Sequence, residues 1–195
     1  VNGYELTGNN YYIEGIGSNL DATGAGSKLN VSGLWHNDGG NFEKGVAEVA
    51  FIGDTYMEID GALDGVESMY EVTVNGSLTI QNGDTLEVIK RLSVPGLGKI
   101  VLGEDSHLKT KRTNPSDFTV DPTATFDAGN TSTTYIGDVG PFPAETFANL
   151  TIEGSNNLSG PTTVIGNLSI IPGATLDLNG ETLTISGDVV IDGTL

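Results

Sequence analysis

Few residues in this chain have both the type and the spacing to do chemistry. His36 and His107 stand 71 positions apart, and no H-x-H, H-x-x-x-H or H-E-x-x-H spacing occurs. No G-x-S-x-G elbow supports a serine nucleophile. Both histidines read as polar residues of turns. With no cysteine there is no disulfide, no thiolate ligand and no cysteine nucleophile. Asp117, Asp121 and Asp127 follow Lys109, Lys111 and Arg112, the one neighbourhood where clustered carboxylates meet cations. A polysaccharide lyase or hydrolase uses such a set for acid–base work. A solvated loop is the plainer reading. Calcium takes several hard oxygens. The weak candidates for it are Asp54, Asp60 and Asp64, with Asn37-Asp38 nearby, but no EF-hand-type loop or calcium nonapeptide occurs. No other cofactor is expected, and no glycine-rich phosphate loop is present.

Charge is the second source of candidates. Formal net charge is -18, from 8 Lys+Arg and 26 Asp+Glu. Six of the eight cations lie in one band: Lys90, Arg91, Lys99, Lys109, Lys111 and Arg112. They are candidate contact-site residues for an acidic neighbour, the alternative being charge balance within one level of the fold. From Thr113 onward there is no cation and there are ten carboxylates. An acidic exterior argues against nucleic acid and anionic membranes as partners. No segment is long and apolar enough for a membrane-spanning helix. A sugar-binding surface would need exposed aromatics in a row; Tyr4, Tyr11, Tyr12 and Trp35 are the candidates, with at least two expected in the core. A threonine ladder suited to ice is present only as a fragment (Thr163, Thr175, Thr182, Thr184). Six N-x-S/T sequons start at Asn30, Asn75, Asn130, Asn149, Asn157 and Asn167.

The elements that must position these residues are short alternating strands closed by glycine. There are 28 Gly and 7 Pro in 195 residues, the composition of many strands and tight turns. No run has helical periodicity. In TLDLNG and ETLTISG, Leu176, Leu178, Leu183 and Ile185 alternate with Thr175, Asp177, Thr182, Thr184 and Ser186, so one face is buried and one wet. A long unit occurs twice, from Phe42 to about Gly103 and from Phe126 to Gly187, with parts in the same order. Repeated strand units indicate a stacked architecture. The expected fold is therefore all-β, a parallel β-solenoid with a duplicated long repeat; one or more β-sandwiches are the alternative.

The expected organisation is N-terminal strands over 1–33, one repeat over 34–103, a loop or seam over 104–125 and a second repeat over 126–195. LWHNDGGN reads as a turn-rich insert, ALDGVES as a short loop and GPFPAET as a Pro-rich excursion in the matching position. The chain starts and stops inside strand patterns (VNGYELTGNN, VVIDGTL), as a processed protein or a piece of a longer one does.

Trp35, Asn37, Gly39/Gly40, Phe42, Gly45, Val49, Phe51, Gly53, Ile59, Gly61, Tyr70, Val72, Thr73 and Val74 carry a recurring pattern. Phe126, Gly129, Tyr135, Gly137, Phe147, Leu150, Thr151 and Ile152 repeat much of it. This pattern resembles the repeats of very large secreted surface proteins of Bacteroidetes-type bacteria. The resemblance covers about 34–195. It implies secretion to the cell surface and a non-enzymatic structural or adhesive role, and it supplies no catalytic residues. The expected partners are neighbouring repeats of a longer chain or further copies, joined head to tail into a filament or array, with extracellular glycans as another class.

Overall fold

The structure, a computed structural model, describes residues 3–60, 66–111 and 118–195. Among them there is no helix, and thus none long and apolar enough to cross a membrane. The chain is a parallel β-solenoid of about 8 turns. Every ladder between named strands is parallel, which rules out the antiparallel sandwich alternative.

Each turn contributes three strand positions, so the stack has three columns. The first column holds the first halves of Glu5–Glu14 and Lys28–Asp38, then Glu48–Phe51 and the second halves of Val66–Val74 and Thr85–Val94. Phe118–Val120 follows, and the column resumes at Gly140–Phe142, Ser155–Leu158 and Thr175–Asp177. The second column runs from the remainder of the first two strands through Asp54–Asp60, Ser77–Ile80, Lys99–Leu102 and Thr125–Asp127. It ends with Thr146–Phe147, Thr162–Val164 and Leu183–Ile185. The third includes the first halves of Val66–Val74 and Thr85–Val94, then His107–Thr110, Thr133–Ile136, Asn149–Ile152, Leu168–Ile170 and Val189–Ile191.

Turn length varies because the corners absorb insertions while the strands keep register. The paired residues His107 and Thr133 are 26 positions apart, whereas Thr133 and Asn149 are 16 apart. At a strand spacing of about 4.8 Å, eight turns make a rod about 38 Å long.

Inward positions repeat from turn to turn and form one continuous core. One ladder reads Leu86–Leu108–Thr134–Leu150–Leu168, and its neighbour reads Val88–Thr110–Ile136–Ile152–Ile170. Each turn closes the apolar face of the one before it, which no turn can do alone. Aromatic rings extend the same stacking: Tyr11 lies 5.9 Å from Trp35, and Trp35 meets Phe42 edge-on at 5.0 Å. A second group joins Phe118, Phe126, Phe147 and Phe142.

The segments read as insert, loop and excursion belong largely to strands. Leu34–Asp38 completes the strand Lys28–Asp38, with Trp35 fully buried. The alternation of Trp35 and Asn37 against Leu34, His36 and Asp38 is a strand period, and the high Asn/Asp/Gly content masks it. In ALDGVES, Val66, Glu67 and Ser68 open the strand Val66–Val74. GPFPAET contributes Gly140–Phe142 and opens the strand Thr146–Phe147 in the shortest described turn. Within 104–125, His107–Thr110 pairs on both sides, so the stack runs through that stretch.

The first column's hydrogen bonding is broken between Phe118–Val120 and Gly140–Phe142. The Ser159 hydroxyl donates to the Phe142 carbonyl at 2.6 Å, so that residue's polar groups face the following turn. Strand alternation then turns Pro141 and Pro143 toward Phe118–Val120, and neither has an N–H to give.

The two long repeats lie in one continuous stack, but their matching strands do not share a column. Val49–Phe51 pairs in the first column, between Leu29–Val31 and Val72–Val74. Thr133–Ile136 pairs in the third, between His107–Thr110 and Asn149–Ile152.

Candidate functional site

Polar side chains on the outside of the stack mostly tie one turn to the next. The basic band shows it best. Glu71, in the first column, receives both Lys90 and Arg91; the Arg91 Nη2–Glu71 Oε2 distance is 2.7 Å. Lys111 Nζ lies 2.6 Å from Glu87 Oε1, and the Ser68 hydroxyl donates to the other Glu87 oxygen at 2.9 Å. Burial acts to raise the Glu87 pKa, but the Lys111 ammonium and the Ser68 hydroxyl outweigh it and hold the carboxyl below its ordinary value. Lys90 also sits over the Tyr70 ring at 5.4 Å, and Lys109 over the Tyr135 ring at 4.8 Å. Lys99 is exposed in the second column, between Ser77 and Thr125. Arg112 lies outside the described residues.

Asp121 accepts from the Thr123 hydroxyl at 2.6 Å and from the Thr123 N–H at 2.8 Å. These bonds lower its pKa, so it stands as a fixed anion locking a turn. Asp21 does the same with Thr23. Asp127 accepts from the Gly129 N–H at 3.1 Å. Asp117 is outside the described residues. Of the calcium candidates, Asp54 faces out opposite Ser77, the Asp60 backbone pairs with Asp38, and Asp64 is outside the described residues. Among the described residues no three His, Cys, Asp or Glu side chains converge as metal ligands would.

The histidines sit on different columns. His36 Nδ1 is 3.4 Å from Glu58 Oε2, at ion-pair distance but out of line for a hydrogen bond. His107 packs edge-on to Tyr135 at 5.6 Å; burial first, then Lys109, lowers its pKa. Among the described residues neither has a serine or a second histidine within hydrogen-bond reach of its ring.

Asparagine does at the corners what carboxylates do elsewhere. Asn149 Oδ1 accepts from the Asn167 N–H at 3.0 Å, and Asn167 Oδ1 accepts from the Asp188 N–H at 2.9 Å. Gly166 and Gly187 belong to the same corner: a Cβ on Gly187 would lie 2.5 Å from the Gly166 carbonyl oxygen, so only glycine fits. Two of the sequon asparagines thus serve as corner ladders, and the sequon residue Asn30 is buried.

One polar site escaped the sequence reading. Glu67 is buried inside the stack, where Oε2 accepts from Trp35 Nε1 at 3.0 Å and from Asn37 Nδ2 at 2.8 Å. Asn37 Oδ1 in turn accepts from the Gly40 N–H at 3.0 Å. Burial pushes the Glu67 pKa up, against the two donors and the distant Lys44. The strand period of Val66, Glu67, Ser68 and Met69 was the available signal, hidden by the preceding glycine.

Of the aromatic candidates, Tyr11 and Trp35 are core residues, while Tyr4 and Tyr12 are exposed. Tyr56 is exposed as well and shares the second column with Tyr12. Comparison with protein-family models, curated protein sequences and solved structures found no match.

Proposed function

We propose that this chain is a non-enzymatic structural module of a secreted bacterial surface protein, working as a length of rod within an array. The observation that carries this reading is the use of its polar groups. Glu71, Glu87, Asn149 and Asn167 bond to the adjacent turn, and Asp121 locks a turn of its own. Side chains committed to holding a rod together are not free to move protons on a substrate. The resemblance of the 34–195 pattern to repeats of secreted surface proteins supports the location.

The turn formed by Thr175–Asp177, Leu183–Ile185 and Val189–Ile191 supports the array. Its inward side chains Leu183 and Ile185 are only partly covered, and Val189 and Ile191 are 46% and 45% exposed. A further parallel turn, from a continuing chain or a second copy, would cover them and pair the strand edges. Lys90, Arg91 and Lys111 are engaged within the chain, so the contact between rods is apolar and survives salt.

Two measurements test the proposal. Incubation with a panel of extracellular polysaccharides should release no reducing or unsaturated ends. Cleavage that disappears on Asp121→Asn or Asp127→Asn would replace this reading with an enzyme. Negative-stain imaging at low and high salt should show end-to-end particles of constant width. Single short rods at high protein concentration in both salts would remove the array.

A further inference from the structure

The second column carries an outward face unlike the rest of the surface. Backbone register places Asn10, Leu34, Tyr56, Thr79 and Val101 in one line along the rod. Tyr12, His36 and Glu58 form the parallel line two residues on. Tyr12 is 56% exposed and Tyr56 is 51% exposed. They stand two turns apart, about 10 Å along the axis, with Leu34 and His36 in the turn between. The Tyr12 and His36 ring centroids are 5.9 Å apart. Asn10 positions the first ring: its Nδ2 donates to the Tyr12 hydroxyl at 3.3 Å, while its Oδ1 accepts from the Leu34 N–H at 3.0 Å.

We infer that this face binds a neutral, extended polysaccharide laid along the rod, with sugar rings stacked on Tyr12 and Tyr56. The inference deepens the surface-module reading and rests on it. The CH faces of pyranose rings pack on exposed aromatic rings, and their hydroxyls bond to the amide, hydroxyl and carboxylate groups beside them. Asn10 beside Tyr12, Glu58 beside Tyr56 and Thr79 one turn beyond supply those groups. A parallel sheet is an extended, shallow surface, which suits a chain rather than a small molecule. Ring positions two turns apart are on the scale of a disaccharide step in an extended glycan.

Charge selects neutral sugars over uronates. His36 and Glu58 offset one another on the face when the histidine is protonated. The exposed pair Glu14 and Asp38 borders it in register, and the whole chain carries -18. A polyanion approaching this edge is repelled. A protein partner would need a contiguous apolar centre, and here half-buried Leu34 is the one apolar side chain between the rings, with His36 beside it and Asn10 flanking Tyr12.

The test is affinity electrophoresis of the full chain through gels holding hydroxyethylcellulose, glucomannan or xyloglucan, with polygalacturonate as the anionic comparison. At least one neutral polymer should retard the protein and polygalacturonate should not. Tyr12→Ala together with Tyr56→Ala should weaken binding by at least about tenfold, equivalent to about 1.4 kcal/mol. Tyr4→Ala, an exposed tyrosine of the first column, should bind like the parent. Both tyrosines of the pair are exposed, so the melting curve should be unchanged and will show that the double variant folds. Absence of retardation by every neutral polymer, equal binding by the double variant, or stronger binding to polygalacturonate would each overturn the site. Those results would leave the structural reading standing. Release of reducing ends from a polymer bound at Tyr12 and Tyr56 would overturn the structural reading and leave the site.

Discussion

Glu67 is the residue whose environment departs furthest from what its type suggests. A carboxyl in an apolar stack is held by two donors, Trp35 and Asn37, and burial raises its pKa above the ordinary glutamate value. The folded state therefore takes up a proton more readily than the unfolded chain. That contribution to stability is complete below the unfolded pKa and is lost as pH rises through the folded one. Glu67→Gln keeps an oxygen for Trp35 and Asn37 but has no charge to bury. Melting temperature followed from about pH 4 to 8 should fall with rising pH less steeply in Glu67→Gln than in the parent. The variant should be the more stable protein at the upper end. Parallel profiles would mean that Glu67 is solvated as ordinary glutamates are. Asp21 and Asp121 act in the opposite sense, since their lowered pKa values add stability that is lost as pH falls through the folded values.

At the scale of the element, each strand is short and its stability comes from the turns on either side. Leu150 is buried between Thr134 and Leu168, whereas Leu183 lies on the last turn with one side uncovered. Leu150→Ala removes apolar contact and leaves a cavity, a cost of about 3 kcal/mol. Leu183→Ala should cost about 1 kcal/mol or less, since its side chain is partly solvated already. Urea titration of the two variants checks the ordering; equal costs would mean that the last turn is covered in solution. The strands Val66–Val74 and Thr85–Val94 each span two columns, and their mutual register shifts between Met69 and Glu71. That irregularity turns the corner without ending the strands and presents Glu71 to Lys90 and Arg91 together.

The whole molecule is one-dimensional in its energetics, since each turn touches chiefly its neighbours. Protection against amide hydrogen exchange should follow position along the rod. Amides of Leu86–Val88 and Leu150–Ile152 should be slowest, and those of Val189–Ile191 among the fastest. Protection of Val189–Ile191 equal to the central strands in dilute solution would show that another turn already covers them. The broken ladder at Pro141 and Pro143 predicts a second weak point, with Phe118–Val120 exchanging faster than Leu92–Val94 on the closed side.

Alternation in YELTG, KLNVSG, TLDLNG and ETLTISG, glycine at the corners and a repeated order of strands were enough to determine an all-β stack with one wet face. These are local properties: strand period and corner geometry depend on neighbours in sequence. The sequence also located the basic band and the acidic C-terminal half, since charge can be counted without a fold. Tertiary structure alone decided which partners the charges have, because Glu71 meets Lys90 and Arg91 across a turn of about 20 residues whose length depends on corner insertions. It decided that Glu67 points inward and that Trp35 lies in the core. It placed Tyr12 and Tyr56, 44 positions apart, on one face. It also put the matching strands of the two repeats in different columns. Register between turns is set by side chains meeting one rung away, and turns of 16 to 26 residues give no constant period from which that register can be read.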